Sequence, residues 1–219
     1  IGEPAAVETN SSDDMKIGEA EEHKRHGRSK EAQTICETLL ASGRLTSDQK
    51  ERAQIVQAEA LVTERNLDRA EVLFDEVLKA NPRSARSLCG KGALAANRND
   101  WDGAIRFFES ARSIDPQCDV AWAGLGLCSF YKKDQTRAWD YYSQALALNP
   151  ENARALLGII ELGYPLRRLS EVEKAIKGYL EIHSADLDFV YSLAGCYFAQ
   201  EKLEEAIEEL NKITLFKPG

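Results

Sequence analysis

Proline recurs in this 219-residue chain at an interval of 34 residues. Pro82, Pro116 and Pro150 are separated by that interval, and Pro218 lies two further intervals along, with Ser184 between. Small and bulky residues keep the same spacing at two other phases: Ala70, Ala104, Ala138, Val172, Ala206; Phe74, Phe108, Tyr142, Ile176, Leu210. A register kept over five successive stretches predicts an array of structural repeats.

Each repeat carries two stretches with the spacing of an amphipathic helix, as residues 119–152 illustrate. Trp122, Leu125 and Cys128 lie three residues apart, and apolar residues continue at intervals of three or four beyond the polar break at 132–135. That spacing places them on one face of an α-helix. The recurring proline ends the second helix, because it has no N–H to donate and restricts the residue before it. The sequence therefore predicts an all-α fold of paired helices.

The small residues of the repeat have a packing reason. Gly126 and Ala138 let two helix backbones approach closely, while Trp122 and Tyr142 fill the space above and below them. Gly92 shares the phase of Gly126 one repeat earlier. We therefore expect close packing of the two helices within a repeat.

This pattern resembles the tetratricopeptide repeat (TPR) family, in which Trp-x2-Leu-Gly, a small residue, an aromatic, Ala and Pro fall within 34 residues. The match is closest in repeat 119–152, at these positions: Trp122, Leu125, Gly126, Ala138, Tyr142, Ala145, Pro150. The resemblance covers residues 13–219. It implies an all-α, right-handed α-solenoid (a superhelix) of about six antiparallel helix pairs, with the first helix of each pair lining a concave groove.

The predicted repeats differ in how closely they follow the family pattern. We place them, the first being divergent, at 13–50, 51–84, 85–118, 119–152, 153–186 and 187–219. Residues 1–12 are polar and aperiodic, which predicts a flexible N-terminal segment or linker.

Local signals predict where several helices begin and end. Thr46 opens a capped restart of helix ahead of repeat 51–84. Pro165 ends the first helix of repeat 153–186 early, and Ser170 with Glu173 has the spacing of a capping box for the second. Ser184 stands where the repeat's proline belongs, so we expect altered geometry before the last repeat.

The TPR resemblance also implies which side chains face the groove. The main candidates for binding a peptide or partner are Arg86, Cys89, Ala93, Ala96, Asn97, Ala123, Leu127, Phe130, Tyr131, Arg154, Leu157, Glu161, Tyr164, Tyr191 and Phe198. The same repeat positions also give Arg52, Ile55, Glu59, Val62, Thr63, Val120, Pro165, Asp188, Gly195 and Ala199. Some TPR proteins grip a peptide's terminal carboxylate with Lys and Asn, and the lack of such a set here disfavours a chaperone-tail clamp.

This inferred lining is small and apolar in its middle, with aromatic residues toward its C-terminal half. A trough that includes Ala93, Ala123 and Leu127 would accept an amphipathic helix or an apolar peptide, with burial as the driving force. Arg86 and Arg154 would pin acidic groups at its edge. The alternative is a tight superhelix in which these residues pack on one another.

The last predicted helix carries an apolar stripe that no further repeat covers. Its residues are Leu203, Ile207, Leu210, Ile213 and Phe216. A solenoid needs a polar cap on its terminal helix. We therefore expect either that the natural chain continues beyond residue 219 or that this end contacts a partner or another copy, making a homo-oligomer.

Charge argues against a polyanionic partner. The net charge is −8, and the first 14 residues contribute −4 of it through Glu3, Glu8, Asp13 and Asp14. A chain without a basic field does not favour nucleic acid or an anionic membrane as partner. No apolar run approaches the roughly 20 residues that a membrane span needs, so we expect no membrane insertion.

Cofactor sites are not indicated either. His23 and His26 lie three apart but have no third ligand at usable spacing, so surface histidines are favoured over a metal site. The five cysteines include no CxxC pair, which favours reduced core residues and a cytoplasmic location, in a bacterial cytoplasm. The chain opens on Ile1, so a removed signal peptide stays an alternative. We expect no cofactor and no metal.

We accordingly expect no catalytic residues and no enzymatic activity. The predicted function is a protein–protein interaction module that binds a protein or peptide in its groove. One alternative is the accessory arm of a larger enzyme, since bacterial glycosyltransferases and response regulators carry arrays that look like this one. A self-assembling scaffold is another.

Overall fold

A computed structural model describes residues 4–216, and the side chains of 11–213. Over that range the chain forms twelve α-helices and no strand. In chain order they are α1 Pro4–Arg25, α2 Ser29–Ala41, α3 Ser47–Thr63, α4 Leu67–Ala80, α5 Ala85–Asn97, α6 Trp101–Ile114, α7 Asp119–Tyr131, α8 Gln135–Leu148, α9 Ala153–Gly163, α10 Leu169–Leu180, α11 Leu187–Ala199 and α12 Leu203–Phe216. The predicted all-α fold of helix pairs is confirmed.

The chain divides into two compact units. The N-terminal unit is Ile1–Asp115, with α1–α6, and the C-terminal unit is Pro116–Gly219, with α7–α12. Within each unit, every helix packs against the next one along the chain. Most apolar side chains are thereby buried between neighbours, and the largest core of the C-terminal unit is built around Trp139, Tyr142 and Leu156.

The turn inside each pair has one recurrent conformation. A residue with φ between 56° and 74° follows each first helix, at positions 27, 65, 99, 133, 167 and 201. The next N–H closes a bond to a carbonyl five residues back, as from Asp134 to Ser129 at 2.9 Å. This is the Schellman pattern, which favours glycine at the left-handed position. Here Gly27 alone meets that preference; the other five positions carry larger residues.

Glycine allows an aromatic ring to lie between consecutive first helices. The Tyr142 ring of α8 lies against Gly126 of α7 and Gly158 of α9, where an added Cβ would come within 2.6 and 2.3 Å of it. Phe74 lies against Gly90 in the same way, at 2.2 Å. Because a methyl group would occupy the ring's own volume, glycine is required by the close approach. Gly126 therefore makes room for the Tyr142 ring, and not for the close approach of two helix backbones expected from the sequence.

All five cysteines are thiols outside any disulfide, and four of them are buried. Burial raises the pKa of Cys36 to about 12 and that of Cys128 to about 11. These two thiols stay protonated at neutral pH, as small apolar core residues do.

Helix α1 begins at Pro4 and includes residues 4–12 of the N-terminal segment, since proline is tolerated in a first turn, where its missing N–H has no partner to lose. The flexibility expected of residues 1–12 stays a prediction. Residues 1–3 lie outside the described range. The capping box predicted at Ser170 is absent, since α10 begins at Leu169 after Arg168, with no side-chain cap. The preceding turn sets this start, and Glu173 instead accepts a bond from Lys177 at 2.7 Å.

Other helix ends agree with the local signals. Thr46 and Gln49 form a reciprocal capping box at the start of α3. Helix α9 ends at Gly163, just before Pro165, and is 11 residues long against 13 for α7 and α11. Helix α10 ends at Leu180, two residues short of the phase set by α4, α6 and α8, ahead of Ser184.

Candidate protein-binding surface

In the N-terminal unit, the predicted groove positions take part in an ionic network with α1. Arg86 of α5 donates two bonds to Glu59 of α3, at 2.8 and 2.9 Å, and one to Glu21 of α1 at 3.1 Å. Lys24 of α1 also pairs with Glu59, and Arg52 binds Glu21 at 3.4 Å. The network therefore ties α1 to both α3 and α5.

The protonation states agree with that geometry. Burial raises the pKa of Glu59, but Arg86 and Lys24 lower it by more, so the net shift is downward. The pKa of Arg86 is raised, because bonds to Glu59 and Glu21 outweigh its burial. Glu59 and Arg86 therefore stay charged at neutral pH. Arg86, which the sequence predicted to pin a partner's acidic group, already binds two carboxylates of its own chain.

The remaining predicted residues of this unit offer little exposed apolar surface. Ile55, Cys89 and Ala96 are buried, with 3%, 4% and 8% of their surface exposed. Asn97 is exposed, but its side chain donates to the carbonyl of Ala93 in its own helix at 2.9 Å. For these positions, the alternative of residues packing on one another describes the structure better than an open trough.

The C-terminal unit is different, since its first helices carry large exposed apolar residues. Six predicted positions expose about half or more of their surface: Val120 52%, Tyr131 51%, Leu157 57%, Tyr164 49%, Tyr191 66% and Phe198 69%. They belong to α7, to α9 with the residue that follows it, and to α11. The Tyr164 hydroxyl lies 3.7 Å from where a Cβ of Gly195 would stand, which brings the end of α9 beside α11. We call these six residues the apolar stripe.

The other predicted groove residues of α7 are less exposed than the apolar stripe. Ala123 is buried at 1% exposure, while Leu127 and Phe130 are half-buried. The rings of Phe130 and Tyr131 meet edge to face, with centroids 5.7 Å apart. Ala123 therefore belongs to the core, and Leu127 and Phe130 to the wall of a pocket beside the stripe.

This pocket, which we call the α7–α9 pocket, has a volume of about 390 Å³. It is lined by Leu127, Phe130, Tyr131, Tyr142, Arg154, Leu157, Gly158 and Glu161. Six of these are residues that the sequence placed in the groove, so the structure brings them together at one site. Arg154 and Glu161 are exposed and form no ion pair with any described residue.

Tyr142 is a member of this pocket that the sequence analysis assigned to the core alone. Its side chain is 2% exposed, and burial raises its pKa, with the charge of Arg154 acting in the opposite direction. The sequence did distinguish this residue. Phe74 and Phe108 occupy the same repeat position two repeats and one repeat earlier, and neither side chain carries the hydroxyl that Tyr142 has.

The row of apolar residues predicted on the last helix, α12, is partly exposed. Leu203, Ile207 and Leu210 have 55%, 58% and 41% of their surface exposed, and Ile213 is half-buried. The Phe216 side chain lies outside the described residues. Glutamates separate the exposed residues along the helix.

The described histidines each pair with a carboxylate. His183 binds Glu151 at 2.9 Å, and His23 lies 3.6 Å from Glu19. Among the residues that the structure describes, no three or more His, Cys, Asp or Glu side chains are placed to hold a metal ion. Nor does any helix in that range combine the length and apolarity needed to cross a bilayer.

Paired helices of constant period, glycine-seated rings and Schellman turns define an α-helical repeat protein. The TPR family model matches residues 55–119. The resemblance stated from the sequence is thus confirmed over the residues that the family model matches, and solved TPR structures share the fold.

Curated relatives are much longer than this chain. A DnaJ homolog subfamily C member 7 homolog of Schizosaccharomyces pombe is 25% identical over 171 residues, which cover 71% of this chain and 36% of that protein. The protein CTR9 homolog of Arabidopsis thaliana is 28% identical over 139 residues, 62% of this chain and 13% of its own length. The chain therefore spans about a third or less of these relatives.

Solved structures share the fold. A thermophilic TPR protein of Thermus thermophilus superposes with a TM-score of 0.69 at 18% identity, covering 85% of this chain and 99% of its own. PilW, a type IV pilus biogenesis factor, gives 0.67 at 21% identity, with 95% of each chain covered. At such identities the likeness extends to the fold alone.

Proposed function

We propose that the chain is a non-catalytic interaction module, and that it binds a peptide or helix of a partner protein on the first helices of its C-terminal unit. The observation that carries the proposal is the apolar stripe. Six large side chains there are about half or more exposed, whereas such residues are ordinarily scattered singly on a protein surface.

The chemistry of the surface favours a protein segment as ligand. Aromatic and leucine side chains such as Leu157, Tyr191 and Phe198 gain free energy when a partner's apolar face covers them. The charged groups Arg154 and Glu161 lie beside them and give a segment polar contacts that fix its position. The N-terminal unit, whose equivalent charges pair with α1, lacks such a surface at Arg86 and Glu59.

A binding comparison between two glutamate variants tests the proposal. Leu157→Glu places a charge in the stripe, and Ile182→Glu, at 55% exposure against 57%, places one outside it in the same unit. Proteins captured from a lysate by the wild type would be quantified for both variants. We expect loss of the specific partners with Leu157→Glu and retention with Ile182→Glu. Equal capture by all three proteins would contradict the proposed surface.

A second candidate function is assembly through α12. It is favoured by the exposure of Leu203, Ile207 and Leu210, which matches the self-assembling scaffold considered from the sequence. The light-scattering mass should then rise with concentration, and Ile207→Glu should abolish the rise. A constant monomer mass would exclude it.

We also propose a compartment for the chain and a place for it within a longer protein. Four buried thiols outside any disulfide support a reducing compartment, and we propose the cytoplasm. The short share of the curated relatives that the chain spans supports the alternative that it serves as an accessory arm within a longer protein.

A further inference from the structure

A second pocket lies between α8 and α10, the second helices of two successive repeats in the C-terminal unit. We call it the α8–α10 pocket, and its volume is about 460 Å³. Its most buried lining residues are Trp139 and Ile159, with 3% and 2% of their surface exposed. Ala175 and Gly178 line it from α10, and its described lining residues are all distinct from the apolar stripe. A pocket of this size with a mostly apolar lining is typical of a ligand site.

Helix α10 carries the smallest residue of the five regular repeats at two positions that line this pocket. The equivalents of Ala175 in the other repeats are Leu73, Phe107, Tyr141 and Glu209. The equivalents of Gly178 are Glu76, Ser110, Gln144 and Lys212. Because Ala175 and Gly178 are three residues apart, they lie on one face of α10, and the missing side chains leave that wall of the pocket open.

The preceding repeat shows what the fold places at the position of Ala175. The Tyr141 ring of α8 lies against Trp122 of α7, with ring centroids 5.9 Å apart. One period further along the chain, Leu156 and Ala175 take the places of these two rings. The α8–α10 pocket therefore lies where the repeat otherwise holds an aromatic side chain.

Neither backbone conformation nor packing requires the glycine of α10. Gly178 lies in the interior of the helix, where glycine is less stable than alanine. Its φ is not in the left-handed region, since the described glycines with positive φ are Gly27 and Gly43. Nothing lies within 4 Å of an added Cβ, so no close approach requires its absence. What this glycine provides is the open wall of the pocket.

We propose that the α8–α10 pocket binds an aromatic side chain, tyrosine or phenylalanine, presented by a partner protein. The ring occupies the volume that Ala175 leaves open and packs on Trp139, so burial and ring contact both favour it. The charged residues of the lining, Glu171 and Lys174, are exposed and opposite in sign, which favours a neutral group over an ion. Ala147 also lines the pocket and is exposed, so a segment of a partner can insert its side chain from the surface. This site is additional to the apolar stripe and does not depend on the function proposed for the stripe.

The direct test uses N-acetyl-tyrosinamide as the probe and N-acetyl-leucinamide as the apolar comparison. The NMR resonance of the Trp139 indole N–H should shift saturably with the tyrosine probe, and the leucine probe should bind several-fold more weakly. Ala175→Tyr restores the residue of the preceding repeat and should weaken binding about tenfold or more, as should Gly178→Gln, which reproduces Gln144. Ala80→Tyr, the same substitution at an exposed alanine of the N-terminal unit, should leave the affinity unchanged.

Three results would overturn the proposal: no saturable shift in the wild type, equal affinity for the two probes, or full affinity in either folded pocket variant. Thermal melting establishes whether each variant is folded. Gly178→Gln adds its side chain where nothing lies within 4 Å of the Cβ, so it provides the test if Ala175→Tyr does not fold.

A random peptide library fused at both ends then distinguishes a partner protein from a free small molecule. One class of the selected peptides should carry Tyr or Phe at a fixed position, lose affinity with Ala175→Tyr and keep it with Leu157→Glu, which alters the apolar stripe. If every selected peptide is instead lost with Leu157→Glu and kept with Ala175→Tyr, the function proposed for the stripe stands and the aromatic site is refuted. If the tyrosine probe binds this pocket and no peptide does, the occupant is a small aromatic molecule and the assignment to a partner protein is wrong.

Discussion

A methyl group added at Gly158 would overlap the side chain of Tyr142. The Cβ of an alanine there would lie 2.3 Å from Cε2 and 2.5 Å from Cδ2 and Cζ of the ring. Carbon atoms attract at about 3.5–4 Å, so the ring would have to retreat by about 1 Å. Gly126 blocks that retreat, because it covers the opposite side of the ring almost as closely.

The expected magnitude follows from two opposing contributions. Alanine is favoured over glycine in a helix interior by about 1 kcal/mol. Overpacking a filled core typically costs about 1–3 kcal/mol, and the blocked ring places Gly158→Ala at the upper end. We therefore expect a net loss of about 2 kcal/mol. The matched control is Gly178→Ala in α10, where nothing lies within 4 Å of the added Cβ, and a gain of up to about 1 kcal/mol is expected.

Urea unfolding provides the measurement. Trp122 and Trp139 both lie in the C-terminal unit, so a Trp101→Phe background confines the fluorescence signal to the unit that carries both substitutions. Opposite shifts of the midpoint at constant slope are expected for the two alanine variants. If Gly158→Ala were stabilised as much as Gly178→Ala, the inferred contact between the ring and α9 would be wrong.

Two further predictions concern the turns and the pH dependence of stability. Lys133→Gly should raise the free energy of unfolding by about 0.5–1 kcal/mol, because Lys133 has a φ of 66° that glycine adopts without strain; an unchanged or lower melting temperature would contradict this. Hydrogen bonds from Lys177 and Lys202 lower the pKa of Glu173 from 4.5 to about 2, so its stabilisation is complete above pH 4.5 and is lost as pH falls toward 2. Glu173→Gln should therefore lose less melting temperature than the wild type between about pH 6 and pH 3, and equal losses would refute the linkage.

The 34-residue period was sufficient to predict the helix pairs. Each second helix from α4 onward begins at the same phase, at residues 67, 101, 135, 169 and 203. Periodicity could do this because the apolar face, the turn and the glycine contacts all recur together. It outweighed the local capping signal at Ser170, which the structure does not use.

The ionic network of the N-terminal unit was not predictable in the same way. Glu21 and Lys24 belong to α1, in the divergent repeat 13–50, which is longer than the 34-residue period. Their register against Glu59 and Arg86 is therefore not fixed by any repeat position. Groove positions transferred from the family pattern do not show whether a side chain already has a partner within the chain.

The α7–α9 pocket was predictable in part. Six of its lining residues, Arg154 among them, were predicted from their repeat positions. That Tyr142 lines the pocket required coordinates, because a bulky residue repeated at one position of the period indicates only that the position is filled.

The packing of one ring between two glycines also limits which insertions and deletions such a chain can accept. Tyr142 touches the helix before and the helix after its own, so this ring links its pair only to the immediate neighbour. Duplicating or deleting a complete 34-residue segment in the C-terminal unit would preserve the spacing between such a ring and the glycines on either side of it. Changes of other sizes would break that match, so growth by whole segments is the course of evolution that this packing permits.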